Sequence, residues 1–271
     1  MLRAVLADLH VGERPGDVDR FRFVIDEAAR RGAGELVLLG DVFRALVGLP
    51  QFWDETVRAG LEELRRLRRA GVRVVLVEGN RDFFLGERAL DDVRDRAAPC
   101  HSFNAGGKRF LLEHGDLVNV RDWQYLAWRR LAKSGVARGC ARLLPARLAR
   151  RIVASTEARL AKTNFSYRSR LPEERLRHVA QAHFAAGVHV VLWGHFHRPW
   201  YFAAGACLAA VVPAFAEYGA VVWVRGDTGE ILVGQLLGAQ FVDTPLQSWY
   251  QEHDGSEDVR DDHGSNDPSC G

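Results

Sequence analysis

Five times within the first 197 residues, a short and almost wholly apolar run gives way to Asp, Asn or His. Ala4–Ala7 is followed by Asp8-Leu9-His10, Glu35–Leu39 by Gly40-Asp41, and Val72–Val77 by Gly79-Asn80-Arg81-Asp82. Phe110–Glu113 is followed by His114-Gly115-Asp116, and Val188–Trp193 by Gly194-His195-Phe196-His197. A run without polar alternation cannot turn either face to water, so each is expected to be a strand covered on both sides. Amphipathic stretches separate the first three. Val18–Arg31 places Phe21, Val24, Ile25 and Ala28 on one face, and Trp53–Arg69 is rich in Leu and Arg. This alternation predicts an α/β fold, to which short β runs at Cys207–Val212, Ala220–Val224 and Ile231–Val233 add further strands.

In α/β sheets, ligands gather at the carboxyl ends of strands, where all five polar groups fall. The D-x-H and H-x-H spacings put alternate side chains on one side of an extended segment, facing one point. Asp, Asn and His offer hard oxygen and borderline nitrogen donors, which suit Mn, Fe, Zn or Mg rather than copper. The four cysteines (Cys100, Cys140, Cys207, Cys270) are far apart and form no C-x-x-C pair. They indicate neither a thiolate zinc site nor a disulfide framework, in keeping with a reduced compartment.

The ordered set D-x-H, GD, GN, H, GHxH resembles the calcineurin-like metallophosphoesterase superfamily from Asp8 to His197. The resemblance implies a β-sandwich flanked by α-helices. It also implies two divalent metals, one held by Asp8, His10, Asp41 and His197, the other by Asp41, Asn80, His114 and His195, with Asp41 bridging. A carboxylate can bridge cations ~3.5–4 Å apart, and such a pair activates a shared water while neutralising phosphoryl oxygens. Catalytic roles would fall to Asp8, Asp41, Asn80, Arg81 and His114.

The loop GNRDF narrows the chemistry. Many members of the superfamily carry His after the Asn, where it can protonate an alkoxide leaving group. Arg81 delivers no proton but can grip a phosphate bidentately. A leaving group that needs no proton is itself a phosphate, which points to a phosphoanhydride unless a histidine elsewhere donates. GNRDFFLG together with HGD, Asp122, Tyr125, a helical insertion and GHFHRP is similar to the UDP-2,3-diacylglucosamine pyrophosphate hydrolase family of lipid A synthesis, over most of residues 1–225. That similarity implies attack on the α-phosphate, release of UMP and 2,3-diacylglucosamine 1-phosphate, and manganese as the usual metal. It implies a helical cap for two acyl chains and substrate contacts from Asn80, Arg81, Asp122, Tyr125, Asn164, Arg168 and His195. The chain departs from the family at GDVFRALVG after the second motif. It departs again in the cap's Ser–Asn–Lys set, where Leu160 and Tyr167 flank the matching Asn164. Hydrolysis of nucleotide or nucleic-acid phosphodiesters on the same metals is the alternative. A non-catalytic binding protein is disfavoured by seven competent metal positions.

Charge is segregated along the chain. The total, 37 Lys+Arg against 35 Asp+Glu, gives +2 and predicts no polyanion partner, so nucleic acid is not expected. Residues 129–170 nevertheless hold twelve basic residues against Glu157 alone, a net +11. Apolar residues such as Trp128, Leu131, Leu143 and Leu148 interleave with the arginines, which suits acyl chains and anionic headgroups. From residue 251, acids outnumber bases seven to one with no aromatic, which predicts a disordered acidic tail. No apolar run approaches the ~18–20 residues of a membrane span, and Asp8 comes too early for a signal peptide. The expected organisation is a metallophosphoesterase domain (1–121 and 171–250), a helical cap insertion (122–170) and the tail (251–271). The expected location is cytoplasmic and peripheral on the inner membrane. A lipid-linked nucleotide sugar and the anionic inner-membrane surface are the expected partners.

Overall fold

The computed structural model describes residues 1–118, 123–167 and 171–253, the side chains of 123–124 and 157–167 excepted. In chain order its strands are β1 (Leu2–Leu6), β2 (Ala33–Leu39), β3 (Leu46–Val47), β4 (Arg73–Val77), β5 (Asp82–Phe83), β6 (Arg96–Ala98) and β7 (Cys100–Ala105). They continue with β8 (Lys108–Glu113), β9 (Val190–Trp193), β10 (Tyr201–Ala204), β11 (Cys207–Val211), β12 (Ala220–Arg225), β13 (Ile231–Leu237) and β14 (Gln240–Pro245). The helices are α1 (Asp17–Arg30), α2 (Glu55–Arg69), α3 (Trp123–Ala132), α4 (Gly135–Leu143), α5 (Ala146–Tyr167), α6 (Glu173–Ala185), α7 (Phe215–Tyr218) and α8 (Leu246–His253).

Two sheets face each other. One has the order β14-β13-β12-β1-β2-β4-β6 and the other β10-β11-β9-β8-β7. Alternate residues of each central strand enter different cores, which is why the runs are apolar throughout. Val37 and Leu39 of β2 lie between the sheets with Val5, Val75, Phe110, Val190 and Leu192. Leu36 and Leu38 point the other way, into a core closed by Phe21, Val24 and Ile25 of α1 and Leu61, Leu64 and Leu67 of α2. On the far side, Val191 and Trp193 pack against Leu176 and Ala180 of α6. The result is a helix–sheet–sheet–helix sandwich, as the resemblance implied. The β1, β2 and β4 strands are parallel, so the segments after Leu6, Leu39 and Val77 emerge at one edge. Parallel pairing of β9 with β8 brings the segments after Glu113 and Trp193 to the end of the second sheet.

Two edge strands carry no continuous apolar run: β7 reads CHSFNA and β14 reads QFVDTP. The edge strand β10, YFAA, is apolar but part-exposed or exposed. At the other terminus, α8 continues through His253, so the helical fold extends three residues into the segment expected to begin the tail. The rest of that segment, 254–271, lies outside the described residues.

Candidate metal centre

The five strand-end groups converge. Six non-glycine residues among those described have positive φ, and five of them are Asp8 (50°), His10 (50°), Asp41 (51°), His195 (73°) and His197 (57°). Each such backbone costs on the order of 1–3 kcal/mol and persists only where its surroundings impose it, commonly at functional sites. The glycines before the ligands are equally constrained. A Cβ on Gly40 would lie 2.3 Å from Nδ1 of His114, and one on Gly79 would lie 2.3 Å from Oδ1 of Asp41. The motifs GD and GN therefore need glycine to let neighbouring ligands close in.

Asp8, His10 and His197 offer donor atoms within 4.8 Å of one another, as do Asp8, Asp41 and His114, and all are buried. Asp8 belongs to both groups. Nε2 of His10 and of His197 lie 3.3 Å apart, with His197 Nε2 3.6 Å from Asp8 Oδ1. The second lobe is centred on Asn80, whose Oδ1 is 2.9 Å from His114 Nε2 and 3.0 Å from His195 Nδ1. His114 Nε2 also lies 3.7 Å from Asp41 Oδ1. All seven residues singled out in the sequence as ligands thus share one site.

The electrostatics suit cations. Burial pushes the Asp8 carboxyl up, against the pull of His197 and His114. Burial acts likewise on Asp41, but His114, His10 and Arg81 outweigh it and hold that carboxyl down to about 2. For His114 burial works against protonation, yet Asp41, Asp8 and Asp116 raise it to about 9. Burial and His114 push His195 down to about 4. Oδ1 of Asp8 is buried without a hydrogen-bond partner. Buried carboxylate oxygens, imidazoles and one amide oxygen are a donor set for a hard or borderline divalent ion, and an orphaned carboxylate oxygen is what such an ion would satisfy.

Several supporting residues were given no role by the sequence alone. Asp82 is fully buried, and its Oδ2 accepts N–H bonds from Asp41 (3.0 Å) and Gly79 (2.8 Å), stapling two ligand loops together. Burial and the neighbouring Asp41 push its carboxyl up to about 7. Glu13 receives a hydrogen bond from Arg81 Nη1 at 2.6 Å, and Arg81 Nε stands 3.6 Å from Asp41. Glu217 lies 2.8 Å from His197 Nδ1.

The segment holding α3 and α4 docks directly on these loops. Tyr125 and Arg129 lie one turn apart on α3, and Lys133 follows in the turn just beyond it. The Tyr125 hydroxyl and Arg129 Nε donate to the buried Asp116, at 2.5 and 2.7 Å. Lys133 donates to the Gly79 carbonyl at 2.8 Å. Farther along, Arg142 pairs with Glu87 and Gln51 donates to the Ala141 carbonyl. A cavity of about 420 Å³ is lined by Asn80 and Arg81 together with Phe83, Trp128, Leu144 and Ile152. Tyr125 is therefore beside the site, engaged with Asp116. Asp122, Arg168 and the side chain of Asn164 lie outside the described residues.

With this geometry, the match of residues 1–199 to the calcineurin-like phosphoesterase family is decisive. The chain belongs to that family. As a calcineurin-like phosphoesterase it is a hydrolase. It is 33% identical over 200 residues to a Pseudomonas aeruginosa protein named UDP-2,3-diacylglucosamine hydrolase, covering 72% of this chain and 81% of that one. A Ralstonia nicotianae protein of the same name is 34% identical over 206 residues, covering 72% and 76%. A third, from Pseudomonas putida, is 30% identical over 208 residues, covering 72% and 81%.

Proposed function

We propose that this phosphoesterase hydrolyses the pyrophosphate bond of UDP-2,3-diacylglucosamine, giving UMP and 2,3-diacylglucosamine 1-phosphate, with two manganese ions as cofactors. In this reading residues 1–121 and 171–250 form the catalytic domain and 122–170 the cap. The observation that carries it is the apolar cavity lined by Asn80 and Arg81: a phosphodiester without lipid needs no such chamber, whereas acyl chains do. Its size falls within the ~300–1,000 Å³ of ordinary ligand pockets. The names of the relatives support the same substrate.

Asp8, His10, Asp41 and His197 would hold one ion, and Asp41, Asn80, His114 and His195 the other. When bound, the pair supplies Lewis acidity to a water and to the phosphoryl oxygens. The chain's own residues do the rest. Arg81, steadied by Glu13 and lying against Asp41, holds the phosphoryl group without offering it a proton. None is required at the leaving oxygen, because a phosphate monoester with a second pKa of ~6 departs as an anion at neutral pH. Phe83, Trp128, Leu144 and Ile152 shield the acyl chains from water. Asn164 is assigned to the sugar and its phosphate by family similarity, and Asp122, Tyr125 and Arg168 to further substrate contacts, Tyr125 from its place against Asp116.

The outer face of the cap fits an anionic bilayer. Val136 and Leu143 are 76% and 85% exposed, beside exposed Arg130, Arg147, Arg150 and Arg151. No helix among the described residues is long and apolar enough to cross a membrane, and we assign the protein to the cytoplasmic face of the inner membrane.

Phosphorus NMR of the manganese-loaded protein with UDP-2,3-diacylglucosamine tests the reading. UMP and the lipid 1-phosphate are expected in equal amounts. Rapid turnover of bis-p-nitrophenyl phosphate with none of the lipid nucleotide would overturn it in favour of a phosphodiesterase.

A further inference from the structure

His10 and His197 face each other across one lobe of the centre. Their rings lie within 13° of parallel with centroids 5.2 Å apart. A neutral imidazole carries a lone pair on one nitrogen and a proton on the other. Two such rings aim both Nε2 lone pairs at one ion only when both Nδ1 atoms keep their protons. A glutamate stands behind each ring. Glu217 Oε1 is at hydrogen-bond distance, 2.8 Å, from His197 Nδ1, and Glu13 Oε1 is at the longer, ion-pair distance of 3.7 Å from His10 Nδ1.

Neither glutamate lies in a strand-end motif, yet backbone contacts pin both to the first one. The Glu13 N–H donates to the His10 carbonyl at 3.0 Å. Ala214 bridges Ala7, and the N–H groups of Phe215 and Ala216 donate to the carbonyls of Ala7 and Asp8, at 3.0 and 3.3 Å. Arg14 Nη1 donates to the Ala216 carbonyl at 2.9 Å, joining the two loops. The other lobe is built differently. There His114 Nδ1 meets the carbonyl oxygen of Leu39 at 2.9 Å, a neutral acceptor.

We propose that Glu217 and Glu13 are positioning residues for one metal position only, fixing His197 and His10 with their Nε2 lone pairs turned inward. The inference rests on the reading that Asp8, His10, Asp41 and His197 hold one of two divalent ions. A carboxylate behind a ligating histidine orients the ring and raises its basicity, and losing it typically costs ~10–100-fold in metal affinity. The two glutamates differ in consequence. Glu13 Oε1 also holds Arg81 Nη1 at 2.6 Å, so its removal disturbs phosphate binding as well as the ion, whereas Glu217 is placed behind His197.

The test is a manganese titration of the metal-stripped full chain, followed by calorimetry and by electron paramagnetic resonance. Wild type should take up two ions and show a spin-coupled pair. Glu217→Ala should lose ~10–100-fold in affinity at one position, so that substoichiometric metal gives an uncoupled signal. Glu217→Gln, whose amide oxygen still accepts from Nδ1–H, should recover most of that loss. Glu13→Ala should weaken the same position and also raise KM. Unchanged affinity in Glu217→Ala, or an equal loss at both positions with a lowered Tm, would overturn the proposal. Uptake of fewer than two ions by wild type would instead overturn the dinuclear reading beneath it.

Discussion

At the scale of single residues, Asp41 carries the most. It sits in a left-handed backbone, faces His114, His10 and Arg81, and accepts the Arg81 N–H at 2.9 Å. Asp41→Ala should lower both metal content and turnover by orders of magnitude, and retention of two metals per chain by elemental analysis would refute the bridging role proposed for it. Arg81 carries the substrate class. Replacing it with His deletes a fixed charge worth ~2–4 kcal/mol on a reacting phosphoryl group and adds a group that can protonate an alkoxide. Arg81→His should therefore reduce pyrophosphate hydrolysis roughly 30- to 1,000-fold. Hydrolysis of phosphodiesters with poor leaving groups should fall far less. Equal losses on both substrates, measured on one preparation, would show that Arg81 binds phosphate without selecting the leaving group.

At the scale of elements, what the sequence discloses depends on what each element touches. The inner strands were legible because burial on both faces leaves only apolar residues, and the clustered Asp, Asn and His residues were legible because each group follows such a strand. Edge strands were not, since Gln240–Pro245 alternates with solvent and reads like a loop. Glu13 and Glu217 escaped notice because folding, not spacing, brings them to the histidines, while Asp82 was visible in its strand-end group but not its bond to the Asp41 loop. The cap shows both cases. Its basic, apolar text was plain, but nothing distinguished arginines that fasten it from those that face outward. Arg129, Lys133, Arg138 and Arg142 meet Asp116, Glu78 and Glu87, so the net +11 overstates the free positive face. Arg147, Arg150 and Arg151 are the residues to test. At ~1 kcal/mol each near an anionic surface, reversing all three should weaken binding to anionic liposomes by roughly 100-fold or more. Wild-type binding should itself fade as salt shortens the Debye length from ~10 to ~3 Å. Equal binding to neutral and anionic vesicles would exclude this face as the contact.

Across the whole molecule, strand β2 links two kinds of buried charge. Its carboxyl end leads through Gly40 to Asp41. Near its other end Glu35, only 1% exposed, accepts from Arg3 Nε at 3.0 Å, lies 3.2 Å from His101 Nε2 and stands 3.1 Å from Arg73. Burial would raise the Glu35 carboxyl, but His101, Arg3 and Arg73 together hold it below the ordinary 4.5. Because the folded pKa is depressed, this carboxylate contributes stability that is complete above the unfolded value and fades as pH falls through the folded one. Removing its charge leaves Arg3 and His101 facing a neutral group in a largely closed site, and charged hydrogen bonds of this kind are worth ~1.5–3 kcal/mol. Glu35→Gln should therefore lower unfolding stability by about that much at pH 7, and the gap to wild type should narrow as the pH is taken below 4. Metal uptake and turnover should hold at the wild-type level under native conditions, since the substitution lies at the end of β2 away from the ligands. Urea unfolding of both proteins at pH 7 and below pH 4, with manganese titration at pH 7, checks both statements. A stability gap independent of pH would mean that Glu35 acts by packing rather than by charge.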